Sequence, residues 1–159
     1  MEKQNFFDLN FDQLKNFLID KVEVDTNKAK MRTQQMFNAV YKKNIKNLDE
    51  LTTFGLELRE KVKSLISLDK PKITDVQKSK DGTIKLLLEL KDKRNVETVL
   101  IPDKTQTKYT ICLSVSVGCY LSCEFCATAQ ISKKLVRNLS PGEIISQIIL
   151  CKDYIDDWS

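Results

Sequence analysis

The sequence predicts an α/β protein in which three helices precede a small antiparallel sheet and a strand–loop–helix unit. Apolar residues recur at helical spacing up to about residue 68, alternate as in strands from residue 71, and return to helical spacing after Ser140. We therefore expect a helical domain over residues 1–70, a small β subdomain or linker over 71–107, and the start of a larger core domain over 108–159.

Composition narrows the class of protein. The 159 residues include 26 Lys and Arg against 22 Asp and Glu, and 42% are hydrophobic, which is typical of a folded globular chain and not of a disordered tail. A net charge of +4 permits an RNA partner without requiring one. No apolar run approaches the roughly 20 residues of a membrane helix, and the N-terminus lacks a signal-peptide pattern. We expect a cytoplasmic protein that does not bind a membrane.

Three helices are predicted in the first region. The first covers Phe11–Val22 and is capped by Asn10, and the second covers Lys28–Lys43. The third runs from about Leu56 to Leu68, and its apolar stripe comprises Leu58, Val62, Leu65 and Ile66. The basic side of the second helix faces either solvent or RNA.

The second region has the pattern of a β-hairpin followed by one more strand. Ile73–Lys80 and Thr83–Leu90 flank Asp81-Gly82, a pair that tolerates the positive φ angles of tight hairpin turns. A third strand is expected over Asn95–Ile101.

The third region predicts one βα unit of a parallel barrel. A strand over Tyr109–Val117 should place Ile111, Leu113, Val115 and Val117 on one face and Cys112, Ser114 and Ser116 on the other. After a loop, Ser140 and Glu143 form a capping box, with proline as the first helical residue. The helix should bury Ile144, Ile145, Ile148 and Ile149.

All five cysteines follow residue 111, and the chain contains no histidine. The absence of histidine excludes Ser-His-Asp and Cys-His catalysis and mixed Cys/His zinc sites. Cys119, Cys123 and Cys126 form a C-x3-C-x2-C array that could hold a 4Fe-4S cluster with one iron left open for a chelating amine and carboxylate, as in S-adenosylmethionine. The alternatives are a zinc site completed by Cys112 or Cys151, and cysteines packed as small hydrophobic residues. Helical spacing favours core packing for Cys151.

The array, with an aromatic residue before its third cysteine, resembles the signature of the radical S-adenosylmethionine superfamily. Further segments resemble the RlmN-type adenine-C2 methyltransferases of 23S rRNA and tRNA: Val96–Pro102, Cys112–Cys119, Arg137–Ser140, and Glu143–Ile145 with Gln147. The likeness is looser in Met31–Lys43 and Leu48–Lys61. It implies that the third region begins an incomplete (β/α)6 partial barrel.

The resemblance also assigns residues and cofactors. It implies that Cys119, Cys123 and Cys126 hold a 4Fe-4S cluster and that Phe125 lies at the S-adenosylmethionine bound there. It implies that Glu97 accepts the proton from carbon 2 of adenine and that Cys112 resolves a covalent RNA adduct. The expected partners are 23S rRNA, tRNA and an electron donor such as flavodoxin, and the protein is expected to be a monomer.

The sequence departs from the family pattern after the cysteines. About 50 residues follow the start of the Tyr109 strand, enough for one or two βα units of ~30 residues, and neither the glycine-rich cofactor segment nor the methyl-carrying cysteine is present. We expect an N-terminal fragment that does not methylate RNA alone. Two other functions stay open: a radical enzyme acting on another position, such as adenine C8, and a noncatalytic RNA-binding or zinc-stabilised module.

Overall fold

The computed structural model describes residues 3–105, 107–119, 123–124 and 136–156. These residues form two compact units, one extending to Asp69 and the other beginning at Lys70. Each unit has its own buried apolar residues. The mixed α/β class predicted from the sequence is confirmed, whereas a barrel built on the last strand–loop–helix unit stays a prediction.

The first unit contains helices α1 (Phe11–Asp20), α2 (Thr26–Phe37) and α3 (Leu56–Leu65). Asn10 caps α1 as predicted, because its side chain accepts from the backbone N–H of Gln13 while the Gln13 side chain accepts from the backbone N–H of Asn10. A π-helical turn over Asn38–Lys42 extends α2, and 3-10 turns cover Phe6–Asp8 and Leu48–Glu50. The largest fully buried side chains of this unit are Phe6, Leu14, Leu18, Met36, Leu51, Ile66 and Val22.

The prediction that the third helix continues to Leu68 was wrong. The helix ends at Leu65, and Ile66–Ser67 forms strand β2, which pairs in parallel with β1 (Gln4–Asn5). Ile66 is buried in this extended conformation. The apolar stripe therefore correctly included Ile66 among the core residues. Its extended backbone conformation results from pairing with β1, about 60 residues earlier in the chain.

The second unit is built on an antiparallel sheet with strand order β3-β4-β5-β6. The strands are β3 (Lys72–Lys78), β4 (Ile84–Glu89), β5 (Asn95–Pro102) and β6 (Tyr109–Cys112). The predicted hairpin joins β3 to β4, and Gly82 has φ 88° in its turn. A side chain at this φ would be strained, which explains the glycine.

One face of this sheet forms the core of the unit with helix α4 (Pro141–Ile155). Burial alternates along β4 and β5, so that every second side chain points into the core. The buried members of this core are Ile84, Leu86, Leu88, Leu90, Val96, Leu100, Leu139 and Cys151. The alternate side chains of β4 and β5 form the outer face of the sheet.

The strand predicted over Tyr109–Val117 is interrupted. It ends at Cys112, and the chain re-forms a short strand β7 (Ser116–Val117) that pairs with β8 (Arg137–Asn138). Val115, predicted to share one face with Ile111, Leu113 and Val117, is 63% exposed. The carbonyl of Val115 accepts a hydrogen bond from the N–H of Leu139, so the chain changes partners between Cys112 and Ser116.

Helix α4 begins as predicted, with Ser140 and Glu143 completing the capping box. Its buried positions differ from those expected: Ile149 is buried, but Ile148 is 37% exposed, and the polar residues Ser146 and Gln147 are fully covered. The expectation that Ile148 is buried was wrong because polar partners on the sheet, and not apolar ones alone, decide which side of the helix faces inward. No helix among the described residues is long and apolar enough to cross a membrane.

Candidate radical site on the outer face of the sheet

The fold places Glu97 and Cys112 on the same face of the sheet. Cys112 pairs with Val99 across the β5–β6 ladder, and Glu97 lies two residues before Val99 on β5. Residues two positions apart on a strand share a face, so Glu97 and Cys112 are diagonal neighbours. Both are exposed, on the side opposite the core. The two residues implied as catalytic by the family resemblance are thus brought together by strand register.

Lys85 extends this face and was missed by the sequence interpretation. Its Nζ lies 3.0 Å from Oε1 of Glu97, and the two side chains are 35% and 53% exposed. Lys85 pairs with Val99 in the β4–β5 ladder, which puts it on the outer face beside Glu97. Side chains alternate between the two faces of a strand, so this pattern would have placed Lys85 beside Glu97 once the register of β4 and β5 was known. The ion pair orients the carboxylate on an otherwise open surface.

The cysteine array begins directly after β7. Gly118 has φ 79°, a backbone conformation that lets the chain turn away from the strand, and its carbonyl accepts a hydrogen bond from the hydroxyl of Ser116. Cys119 and Cys123 are both partly accessible. Cys126 and Phe125 lie outside the described residues, so their predicted roles stay predictions. Within the described ranges no three metal-binding side chains come together.

The donor set of this segment fits an iron–sulfur cluster. Thiolates are the ligands of 4Fe-4S clusters, and the array supplies three in eight residues. Cys119 lies two residues after β7, a strand that adjoins β5, the strand of Glu97. A cluster held here would lie in the same unit as Glu97 and Cys112.

Arg137 anchors the chain where it returns from the array. Its guanidinium binds both carboxylate oxygens of Glu143, at 2.7 and 2.8 Å, and Oδ2 of Asp92 at 2.9 Å. The hydrogen bonds from Arg137 lower the pKa of Glu143 and the pKa of Asp92. These hydrogen bonds join β8, the first turn of α4 and the β4–β5 connection.

Comparison with known proteins identifies the kind of chain. The dual-specificity RNA methyltransferase RlmN of Campylobacter fetus is 39% identical over 94% of this chain, and that of Novosphingobium aromaticivorans is 37% identical over 89%. A probable RlmN of Staphylococcus epidermidis is 35% identical over 98% of the chain. The chain resembles one portion of the RlmN-type RNA methyltransferases.

A solved structure supports the same assignment. A radical SAM methyltransferase from Sphaerobacter thermophilus superposes with a TM-score of 0.80 at 28% identity, covering 96% of this chain and 42% of that one. No family model matches. The chain spans 42%, 32% and 40% of the three RlmN relatives named above. The resemblance to one portion of an RlmN-type protein, expected from the motifs, is confirmed.

Cys151 lies apart from the cysteine array in the sequence. It is fully buried in the core of the second unit, which confirms the prediction of core packing. Burial raises the pKa of its thiol to about 11. A thiol must lose its proton to bind zinc, so the core position disfavours Cys151 as the fourth ligand of a zinc site.

Proposed function

We propose that this chain contributes the proton-accepting and thiol groups of a radical S-adenosylmethionine RNA methyltransferase that methylates carbon 2 of adenosine in 23S rRNA and tRNA. The observation on which the proposal depends is the placement of Glu97 and Cys112 on one open face of the sheet. That face belongs to the unit in which the cysteine array begins. The names of the RlmN relatives support the reaction and the RNA substrate.

In this proposal Cys119, Cys123 and Cys126 hold a 4Fe-4S cluster, with Phe125 at the S-adenosylmethionine bound to its open iron. When bound, these groups supply the one-electron chemistry that an unactivated ring carbon requires. The electron comes from a donor such as flavodoxin. The protein is cytoplasmic and monomeric, and its regions are residues 1–70, 71–107 and 108–159.

The chain's own residues act on protons and on the RNA adduct. Glu97 is held by Lys85 with one carboxylate oxygen engaged, which leaves the other oxygen to accept the proton lost from the adenine ring. Cys112 is exposed on the same face, where its thiol can reach an adduct formed on that ring. The strand register therefore brings the acid–base step and the thiol step to one surface.

A segment exchange tests this function. The chain would replace the matching segment of the Campylobacter fetus relative, and 2-methyladenosine in digested rRNA and tRNA would be measured by mass spectrometry. We expect methylation by the chimera, and a loss of roughly 10²–10⁴-fold when Glu97→Gln removes the proton acceptor. Residues 1–159 alone are expected to give no product.

A control substitution and the position of the methyl group complete the test by segment exchange. Asp75→Asn changes another exposed carboxylate of the same sheet, on β3, and should leave methylation unchanged. Methylation at C8 in place of C2 would favour the other radical enzyme. A chimera that binds iron but methylates equally well with Glu97→Gln would contradict the role of Glu97.

A further inference from the structure

The side chain of Gln147 is a buried polar hub in the second unit. It is 0% exposed. Its Oε1 accepts hydrogen bonds from the hydroxyl of Thr98 at 2.7 Å and from the N–H of Ser114 at 2.9 Å. Its Nε2 donates to the carbonyl of Ser114 at 2.9 Å and to that of Glu143 at 3.3 Å. One amide thus joins two distant segments of the chain to its own helix.

Two of these segments contain the residues to which catalysis is assigned above. Thr98 follows Glu97 on β5, with its side chain buried on the opposite face of the sheet. Ser114 lies two residues after Cys112, and its hydroxyl donates to the carbonyl of Glu97 at 2.7 Å. Gln147 therefore binds the side chain next to Glu97 and the backbone near Cys112 through a single rigid group.

The hydrogen bonds between Gln147 and Ser114 lie just beyond the end of the β5–β6 ladder. The β5–β6 ladder ends at the pair Val99 and Cys112, so Ser114 lies beyond the last ladder pair. The two bonds from Gln147 to the backbone of Ser114 replace the missing ladder bonds. Only a side chain with both an acceptor and a donor can make them, and a buried network whose groups are paired is rigid.

We propose that Gln147 is a positioning residue, which keeps Cys112 in register beside Glu97 by clamping Ser114 and Thr98. The clamp is a property of the fold, while its importance for catalysis rests on the proposed function. Without it, the end of β6 frays from β5 and the thiol and the carboxylate lose their fixed separation.

Residue-resolved amide exchange and NMR contacts on the 159-residue chain test the clamp. Gln147→Met keeps the length of the side chain and removes its hydrogen bonds. We expect exchange at the Ser114 amide to rise by about tenfold or more, because a net hydrogen bond is lost there. The cross-strand contact between Val99 and Cys112 should weaken, while the amides of Leu86 and Leu88 in β4 change much less.

A neighbouring buried residue provides the matched control. Ser146 precedes Gln147 on the same helix, is 1% exposed, and has no partner for its hydroxyl in the part of the chain that the structure describes. Ser146→Ala should leave exchange at Ser114 within about twofold, since no hydrogen bond is removed. If Ser146→Ala and Gln147→Met raise exchange at Ser114 equally, Gln147 is only a packing residue and the proposal fails.

A pH profile separates clamping from packing. In Gln147→Glu the introduced carboxylate keeps the acceptor but has no donor for Ser114, and it gains an O–H donor when it is protonated. The bond to the Ser114 carbonyl is therefore missing at high pH and restored at low pH, so the cross-strand contact between Val99 and Cys112 should strengthen as the pH falls. A contact that is equally weak at every pH would overturn the proposal. These readouts need no cluster and no RNA, so their failure and the failure of the proposed methylation can be distinguished.

Discussion

At the scale of single residues, Cys151 and Cys112 should differ sharply in reactivity. Cys151 is fully buried and Cys112 is exposed. Iodoacetamide at pH 8 should modify Cys112 in the folded protein and leave Cys151 unmodified until urea unfolds the chain, because the thiolate is the reactive form and burial raises the pKa of Cys151 to about 11. Peptide mass spectrometry measures both sites, and equal rates would contradict the assigned core position.

The raised pKa of Cys151 predicts that the folded protein loses stability at alkaline pH. Its pKa is raised from 9.0 to about 11 in the folded state. The folded protein therefore keeps its full stability relative to the unfolded chain below pH 9. It loses the contribution of the Cys151 thiol as the pH rises towards 11, because the unfolded thiol ionises there and the folded thiol does not. Urea midpoints at pH 8 and pH 10.5 should differ more for the wild type than for Cys151→Ala. An identical pH dependence in both proteins would count against this origin.

Arg137 provides a third residue-scale prediction. Arg137→Met should reduce the free energy of unfolding by about 1–2 kcal/mol, because the partly buried carboxylate of Glu143 and the exposed carboxylate of Asp92 lose charge-assisted hydrogen bonds. Arg94→Met is the matched control: Arg94 lies 3.9 Å from the same Asp92 and is 45% exposed, so less than about 0.5 kcal/mol is expected. Urea denaturation at pH 7 measures both.

Acid should reveal the same interaction. The pKa of Glu143 is lowered in the folded protein, chiefly by its hydrogen bonds to Arg137. The interaction between Arg137 and ionised Glu143 therefore stabilises the fold above pH 4.5, the ordinary pKa of a glutamate. This stabilisation is lost as the pH falls below that value. The difference between wild type and Arg137→Met should shrink over that acidic range. A difference that stays constant would mean that Arg137 acts by packing alone.

At the scale of secondary-structure elements, the β3–β4 hairpin depends on one glycine. Gly82 has φ 88° in the turn, so Gly82→Ala should cost about 1 kcal/mol. Gly55→Ala is the control, because Gly55 has φ −60° and a Cβ there would meet nothing within 4 Å. Thermal or urea unfolding should show the difference. Equal effects of the two substitutions would contradict the role of the turn.

The elements also show which features a sequence can predict. The hairpin and the α4 capping box depend on neighbours within a few residues, and both were predicted. The break after Cys112 depends on hydrogen bonds from Leu139, more than 20 residues later, so alternation could not reveal it. The burial of Gln147 in place of Ile148 depends on polar partners on the sheet, which an apolar pattern does not encode.

At the scale of the whole molecule, the family resemblance follows from sequence motifs, whereas the proposed site follows from the folded sheet. The motifs around the cysteines predicted the RlmN-type resemblance, and the relatives confirm it. The placement of Glu97 and Cys112 on one face follows only from the strand register of the folded sheet. The roles of Lys85 and Gln147 are likewise visible only in the folded sheet, because their partners are distant in sequence.

We propose that Cys119, Cys123 and Cys126 hold an iron–sulfur cluster, and anaerobic reconstitution of the protein with iron and sulfide can refute this. We expect a brown protein with about four irons per chain. Cys119→Ala, Cys123→Ala and Cys126→Ala should each abolish iron binding, whereas Cys112→Ala and Cys151→Ala should retain it. Bare thiols, or a single zinc ion bound through four cysteines, would show that the three cysteines hold no such cluster.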